Sequence, residues 1–413
     1  MRPLPHAALA RLALASVFVA GAAQAADNYS ASFLGQSQAP TRQGFATLDQ
    51  LLSGLESNLG RSATQFELSL RGVAGTLVDS DGPCCLSVDI PALGISNEGL
   101  SAETYGEDMD QLRKLLTQGN IARRLARESA RVSPLDPVAG NPASQMARLV
   151  AMDFAGAFAP FASNVAEDGV KVAQAGGLPA GAMRGPMPNL PGLGAQLGLF
   201  KDGGQSAKVL TVPLSYSMRS DLDPRRQFSI TLPISVADIN GARVTQFTLG
   251  GSVRLPLAKD WAVTTAVNYS TLNGKDMGSA GKIASLSVTS NYTIRRQDSS
   301  ISIGNLLGHY RTMSGSVGGI DTDSGVANTV LRNGVLWSMA APAWVGFGNS
   351  IEYSFVNTHY TGTALYLKNY SELGVTLGTN RRADSVRSYM QAGLSAVLSS
   401  KTKGLQANFG YWF

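Results

Sequence analysis

Two patterns of apolar and polar side chains follow each other along this chain. From about residue 26 to 176, apolar side chains recur at helical spacing, for example between Phe45 and Leu59. From about residue 205 to 413, apolar and polar side chains alternate, which is the period of a β-strand. We therefore expect a mixed fold, in which a mostly α-helical N-terminal domain, residues 26–176, precedes an antiparallel sheet. Two stretches of that domain, "TQFELSLRGVAGTLV" and "CCLSVDIPALGI", are candidate strands.

The alternating half predicts a transmembrane β-barrel at residues 205–413. Eleven segments after about residue 207 are each long enough for the roughly 9 to 11 residues of a tilted membrane strand. Bacterial barrels contain an even number of strands, so one strand is missing from this count. We expect about twelve strands, with ten as the next choice. The missing strand is sought within 183–204 or in the N-terminal stretch "FELSLRGV".

The polar positions of these segments carry side chains that lipid accommodates poorly. A Lys or Arg in mid-bilayer costs about 2 to 4 kcal/mol in such barrels, so these side chains are expected to face the lumen. Alternation alone is also typical of a water-soluble sandwich, so the choice of a barrel depends on the other signals below. The predicted lumen-facing residues are Arg254, Asn268, Asn291, Arg295, Arg332, Glu352, Lys368, Glu372, Arg387 and Gln391.

The segments between and at the ends of the strands complete this plan. Residues 177–204 are rich in Gly, Pro and Leu without a sustained period, and predict a linker. Connections alternate in length, with tight turns near 258–260, 297–300, 341–344 and 381–385. If the C-terminus lies in the periplasm, the tight turns are periplasmic, and the aromatic side chains of the strands next to them form a girdle at the periplasmic edge. Its members are Tyr216, Phe228, Trp261, Tyr292, Trp337, Phe347, Tyr411 and Phe413.

The first 25 residues predict export. Arg2 and Arg11 precede a short apolar run, and small residues lead to a cleavage site after Ala25, as in a secretory signal peptide. Charged residues make up only 15% of the chain, and the net charge of +5 comes from scattered Arg and Lys. A nucleic-acid partner is not expected, because nucleic-acid-binding proteins usually concentrate their basic side chains on one face.

No catalytic, cofactor or metal constellation stands out, and we predict that the protein is not an enzyme. Cys84 and Cys85 are adjacent and would close only a strained ring, so they are expected to be small buried side chains or an intermolecular link. Asp321 and Asp323 are candidate calcium or protease carboxylates, although a polar loop explains them equally. His309 and Ser314 resemble the His and Ser of outer-membrane phospholipase A, without that family's surrounding Asn-Gly pattern.

The last nine residues, "LQANFGYWF", end on an aromatic side chain and alternate with a period of two. They resemble the C-terminal signal by which the barrel-assembly machinery recognises Gram-negative outer-membrane proteins. The residues that carry this resemblance are Leu405, Ala407, Phe409, Tyr411 and Phe413. It implies an outer-membrane location, with lipid and the export and assembly machineries as partners.

The order of signal, N-terminal domain, linker and barrel is similar to that of autotransporters. The expected function is accordingly a transport or translocation pore, autotransporter-like or porin-like. A surface-exposed structural or adhesion barrel and an outer-membrane hydrolase are the alternatives. Whether the N-terminal domain is periplasmic, external or a plug of the barrel stays open.

Overall fold

The structure, a computed structural model, describes most of the chain after the predicted signal. The described residues are 27–35, 41–60, 63–80, 86–158, 190–220, 226–342, 350–378 and 389–412. Several predictions lie outside them: the signal segment with Ala25, the cysteines Cys84 and Cys85, Phe347, Arg387 and Phe413. Within the described residues, no helix is both long and apolar enough to cross a membrane.

The N-terminal region consists of a six-stranded antiparallel sheet with helices. Its strands are β1 (Tyr29–Gly35), β2 (Thr41–Phe45), β3 (Ala63–Leu70), β4 (Val73–Asp79), β5 (Leu86–Ile90) and β6 (Ile95–Leu100). Its helices are α1 (Leu48–Asn58), α2 (Tyr105–Thr117), α3 (Gly119–Val132) and α4 (Gln145–Phe158), and a short helical turn spans Pro91–Leu93. The sheet order is β2-β1-β3-β4-β5-β6.

The prediction of a mostly α-helical N-terminal domain is therefore wrong. The helices at the leucine-rich stretches do form, and Leu48, Leu51 and Leu55 are buried in α1. The sheet was underestimated because its strands are short, and a run of five to eight residues carries a weaker periodic signal than a helix of three turns. "FELSLRGV", one candidate for the missing barrel strand, lies in β3 and the turn after it.

One face of this sheet packs on α1, α2 and α3. Phe66 and Leu77 of the sheet share a core with Leu51 of α1 and Leu112 of α2. Capping boxes begin two of the helices, with Thr47 and Gln50 at α1 and Thr104 and Glu107 at α2. The N-terminal region thus has an apolar core of its own.

The second half of the chain forms a closed antiparallel barrel of twelve strands. Two of these strands are each divided into two elements, β8 (Gln205–Val212) with β9 (Leu214–Arg219), and β10 (Gln227–Thr231) with β11 (Ile234–Ile239). The others are β7 (Leu190–Asp202), β12 (Ala242–Ala258), β13 (Trp261–Gly274), β14 (Ser279–Arg295), β15 (Ser299–Thr312), β18 (Ala327–Ala340), β19 (Ser350–Gly362), β20 (Asn369–Gly378), β21 (Tyr389–Leu398) and β22 (Lys403–Trp412). A small hairpin, β16 (Ser316–Val317) and β17 (Ile320–Asp321), lies between β15 and β18.

The missing strand is β7, which closes the barrel by pairing with β22. The register runs from Gly192 opposite Trp412 to Lys201 opposite Lys403. Strand β7 lies within 183–204, one of the two stretches in which the missing strand was sought, so the second half of the predicted linker is a strand. Glycines conceal its alternation, because Gly194 and Gly198 lie on the inward face, where a polar side chain would have marked the strand. A Cβ atom on Gly198 would lie 2.7 Å from the Phe200 ring.

Two prolines divide the strands that follow β7. Pro213 lies between β8 and β9, and Pro233 between β10 and β11. Proline has no backbone N–H, so each removes one donor from the ladder of a strand that would otherwise be continuous. The wall still closes across this interruption, because the Leu232 N–H donates to the Leu214 carbonyl at 2.8 Å and the Thr248 N–H to the Pro233 carbonyl at 3.1 Å.

The connections divide the barrel into two ends. The terminal end holds Leu190 and Trp412, and the loop end holds the connections β7–β8, β11–β12, β13–β14, β15–β18, β19–β20 and β21–β22. Two of the predicted tight turns, near 258–260 and 297–300, are present at the terminal end. The other two, near 341–344 and 381–385, lie mostly outside the described residues.

Candidate functional site: the barrel lumen

The N-terminal region lies at the loop end of the barrel, and its last helix enters the lumen. Helix α4 contacts β13, β14, β15 and β18 from inside the barrel. We call residues 135–154, the loop before α4 with the described side chains of that helix, the lumen segment. All of the loop from Leu135 to Ser144 is buried.

Hydrogen bonds between residues close in sequence fix the shape of the loop at the start of the lumen segment. The Asp136 carboxylate accepts the N–H groups of Val138 and Ala139 at 2.9 and 3.1 Å. Asn141 accepts the N–H of Ala143 at 2.9 Å. Gly140 has a φ of 95°, and a Cβ atom there would lie 2.3 Å from the Ala130 carbonyl oxygen. The sequence Asp-x-x-x-Gly-Asn therefore builds a compact turn that only glycine permits at its centre.

The part of the lumen nearest the loop end, here called the upper lumen, is an apolar core rather than a water channel. Side chains of the lumen segment pack against apolar side chains that project inward from the wall. Those of the segment are Leu135, Val138, Ala139, Ala143, Met146, Leu149 and Val150. Those of the wall include Val209, Ile239, Val244, Ile283, Tyr310, Val330, Tyr360 and Tyr370.

Polar side chains of the lumen segment form hydrogen bonds with polar side chains of the barrel strands. Asp153 accepts hydrogen bonds from Asn268 at 2.6 Å and from the Tyr310 hydroxyl at 2.7 Å. Gln145 donates to Ser270 at 3.0 Å, and a Cβ atom on Gly281 would lie 2.3 Å from its other side-chain atom, Oε1. A buried charge is costly unless it is hydrogen-bonded, so these contacts fix the height of α4 in the barrel.

Two further contacts fix α4. The Arg148 Nε donates to Gln246 at 2.6 Å. The Arg332 guanidinium lies 5.1 Å from the centre of the Phe154 ring and forms a two-pronged ion pair with Glu372, at 3.0 Å for each contact. A Cβ atom on Gly334 would lie 2.8 Å from that ring, so glycine leaves the space that Phe154 fills.

A buried ion pair joins the lumen segment to the N-terminal sheet. Arg71, in the turn between β3 and β4, lies 3.4 Å from Asp136, and both side chains are buried. Burial raises the pKa of Asp136, and the Arg71 guanidinium and the two capping N–H groups oppose that rise. Removing either partner would leave a buried charge unpaired, which is strongly destabilising.

The N-terminal sheet and α3 are also bound to the loop end directly. The Tyr29 hydroxyl donates to the Met277 carbonyl at 2.5 Å, and burial raises the pKa of Tyr29 to about 12. Asn28 donates to the Ile239 carbonyl at 2.9 Å. Asp321, one of the candidate carboxylates, accepts the Gly119 N–H at 2.8 Å and caps α3. The N-terminal region therefore covers the barrel mouth.

The predicted lumen-facing residues occupy different positions. Asn268 and Arg332 contact the lumen segment, and Glu372 holds Arg332. Arg254, Asn291 and Glu352 are buried nearer the terminal end. Arg295 forms an ion pair with Asp260 at 2.8 Å. Lys368 is exposed at the loop end, and Gln391 is half-buried.

Sequence reasoning missed the segment's own residues, Asp153 and Phe154, and their partners Gln246 and Tyr310. The only signal was a pair of charged side chains, Arg148 and Asp153, in an otherwise apolar helix. Their partners are separated from them by 98 residues for Arg148 and Gln246, and 157 for Asp153 and Tyr310. No local pattern connects residues so far apart.

The candidates for chemistry do not assemble into a site. His309 is exposed on the outer wall, where its Nδ1 lies 3.3 Å from the Thr329 hydroxyl rather than near Ser314. Asp323 accepts the N–H of Gly325 at 3.1 Å in its own loop. Among the residues that the structure describes, no group of three or more His, Cys, Asp or Glu side chains is arranged to hold a metal ion.

The outer surface of the barrel is apolar around its whole circumference. The exposed fractions reach 65% for Leu394, 60% for Leu405 and 56% for Val267. Five of the predicted girdle residues, Tyr216, Phe228, Trp261, Tyr292 and Trp337, are also exposed, on strand segments near the terminal end. Exposed apolar side chains in a belt mark contact with lipid. The protein is an integral outer-membrane β-barrel.

Comparisons with known proteins find likeness in structure only. No protein-family model matches the chain, and no curated protein sequence matches it. The β-domain of the Bordetella autotransporter BrkA has a TM-score of 0.40 and 13% identity, over 55% of this chain and 98% of that one. The translocator domain of the autotransporter NalP from Neisseria meningitidis has a TM-score of 0.38 and 10% identity, over 59% and 92%. An outer-membrane channel from Pseudomonas putida F1 has a TM-score of 0.38 and 11% identity, over 54% and 94%.

Proposed function

We propose that this protein is a translocation barrel for its own N-terminal region, which it holds at the cell surface while the lumen segment closes the pore. The observation that carries the proposal is the path of the chain. The N-terminal region lies at the loop end, α4 lies in the lumen, and β7 starts from the terminal end. Both barrel termini share that end, as an even strand count requires, and in such barrels it faces the periplasm.

The filled lumen favours translocation over a porin-like role. A porin needs a water-filled channel, whereas here apolar side chains of the lumen segment occupy the upper lumen. Opening that space would expose buried apolar surface to water and separate Asp153 from Asn268 and Tyr310. We therefore expect the lumen of the folded protein to be blocked, so that the barrel conducts few or no ions.

The side of the N-terminal region is tested by labelling intact cells. We place one cysteine at exposed Glu98 in β6 and, as the matched control, one at exposed Asp298 between β14 and β15. Both variants carry Cys84→Ser and Cys85→Ser. A membrane-impermeant maleimide is expected to label Glu98→Cys on intact cells, and Asp298→Cys only after the cells are broken. The reverse result would place the N-terminal region in the periplasm and contradict the proposal.

Closure of the lumen is tested by conductance in planar bilayers. The wild-type protein should conduct little, and the double variant Arg148→Ala/Asp153→Ala should conduct more, because the two charged side chains that anchor α4 to the wall are lost. The control is Asp49→Ala/Arg113→Ala, which removes an exposed ion pair of the N-terminal region. High, equal conductance in all three proteins would show an open pore and refute the closed state.

We also propose that the C-terminal strand is recognised by the barrel-assembly machinery. Leu405 and Phe409 project from the outer face of β22, where a partner has access to them during insertion. We expect that deletion of Phe413 leaves export intact and lowers the amount of heat-modifiable barrel in outer membranes. An unchanged amount would argue against an assembly signal at this position.

A further inference from the structure

A cleft of about 290 Å³ lies between α3 and the connection from β19 to β20. Arg124, Arg127 and Arg131 of α3 line one side, and Thr363 and Ala364 of the barrel line the other. The three arginines are three and four residues apart, so they share one face of the helix. The volume is close to the lower limit of small-molecule sites, which is about 300 Å³.

Neighbouring groups orient two of the three guanidinium groups without exhausting their donors. Arg124 donates from Nη1 to the Leu93 carbonyl at 2.8 Å, and a Cβ atom on Gly94 would lie 2.7 Å from that nitrogen. Arg131 binds Glu128 at 2.7 Å. Arg127 is exposed and has no polar partner among the described residues. Each guanidinium has five N–H donors, so most of them are available to a ligand.

The composition of the cleft selects the ligand. Three guanidinium groups face a single carboxylate, Glu128, so the cleft is positively charged. Arginine binds phosphate and sulfate with paired, charge-assisted hydrogen bonds. Among the described residues that line the cleft, none is aromatic, so a nucleic-acid base would find no ring on which to stack. We propose that this cleft binds the phosphate or sulfate group of an anionic saccharide.

Two sources carry that chemistry at a bacterial surface, a phosphorylated glycolipid of the outer leaflet and a free polysaccharide. Recognition of the saccharide by the purified protein does not depend on the side of the membrane. A failure of this proposal is therefore distinguishable from a failure of the proposed topology.

The test is isothermal titration of the purified full chain in neutral detergent micelles with a bisphosphorylated glucosamine disaccharide. Arg127→Ala is expected to weaken binding about tenfold or more, the usual effect of losing a hydrogen bond to a charged group. Glu128→Gln is expected to tighten binding, because it removes a carboxylate next to the anion and frees Arg131. The matched control is Arg123→Ala on the same helix, outside the lining of the cleft, with a change within about twofold. Near-ultraviolet circular dichroism and limited proteolysis confirm that the N-terminal region of each variant is folded.

Several results would overturn the proposal. Equal losses in Arg123→Ala and Arg127→Ala would mean that general surface charge binds the ligand. Equal binding of the dephosphorylated disaccharide would exclude an oxyanion site, and equal binding of inorganic phosphate would exclude recognition of the sugar. Tighter binding of a single-stranded oligonucleotide would assign the cleft to nucleic acid.

The phosphorylated glycolipid in mixed micelles separates the two sources of the saccharide. Binding of the glycolipid alone supports the lipid as the source, and equal binding of the free disaccharide supports a free saccharide.

Discussion

The N-terminal sheet and the barrel have the same alternating strands but turn them towards opposite surroundings. In β4, Val73 and Leu77 are buried against helices, whereas Ala74 is exposed. In β13, Val267 and Tyr269 are exposed, whereas Ser270 is buried and bound to the lumen segment. A period of two therefore identifies a strand, but it does not say which face meets water, lipid or core.

The edges of the two sheets explain the difference. The N-terminal sheet ends at β2 and β6, and helices cover one of its faces. The barrel has no free edge, because β7 pairs with β22. A strand in lipid must pair all its backbone groups within the protein, so only the closed sheet is able to expose apolar side chains to the membrane. Four experiments test this comparison.

The largest effect is expected from Phe66→Ala in β3. Phe66 is fully buried and makes an edge-to-face contact with Phe33, with ring centres 5.5 Å apart. Its truncation should lower the free energy of unfolding of the N-terminal region by about 3 to 5 kcal/mol. Near-ultraviolet circular dichroism and limited proteolysis report that region, and heat-modifiability reports the barrel. The control Phe409→Ala removes an outward side chain of β22, and an equal loss of N-terminal stability there would contradict the comparison.

A charged substitution separates the two exposed faces. Val267→Arg in the middle of β13 should cost about 2 to 4 kcal/mol in a bilayer, because the charge enters lipid. Ala74→Arg in β4 should change stability by no more than about 0.5 kcal/mol, because its side chain enters water. Reversible unfolding in lipid vesicles measures both variants. Similar costs would mean that the two faces meet the same solvent.

A smaller effect is expected from pH at the contact between the sheet and the barrel. The pKa of Tyr29 is raised by burial from 10.0 to about 12, so the folded state keeps the phenol proton when the unfolded state has lost it. The stabilising contribution is complete below pH 10 and is lost as the pH rises through about 12. Proteolysis of the N-terminal region should therefore accelerate in this range. Tyr29→Phe should cost about 1 kcal/mol and should remove this part of the pH dependence. An identical pH profile in the variant would exclude Tyr29 as its source.

The smallest effect is expected from a helix cap, a feature that the barrel strands lack. Thr47→Ala removes the side chain that accepts the Gln50 N–H at 3.2 Å. The N-terminal region should lose about 0.5 kcal/mol, the lower end of the range for a lost helix cap, measured by denaturant unfolding. Thr47→Ser, which keeps the hydroxyl, is the control, and the interpretation as a cap fails if both variants lose the same stability.

The barrel was largely predictable because most of its strands are long and regular. The stretch that forms β7 was assigned to a linker, with 183–204 as one of two candidates for the missing strand, and only its pairing with β22 decides between the two. The short strands of the N-terminal region were underestimated because few residues carry each period. The position of α4 inside the barrel could not be read from the sequence for a different reason. Arg148 and Asp153 are not unusual in a helix, and only their partners in β12, β13 and β15 show that this helix lies inside a barrel.

The sequence by itself determined the presence of a barrel and its apolar outer face, because these depend on side-chain period and on the cost of charge in lipid. The tertiary structure alone decided that the barrel closes through β7, that the N-terminal region covers its mouth, and that the chain fills its own lumen. These features depend on contacts between residues far apart in sequence, such as Asp153 with Tyr310 and Arg71 with Asp136. Such pairs form only when the whole sheet has closed around the segment that it encloses.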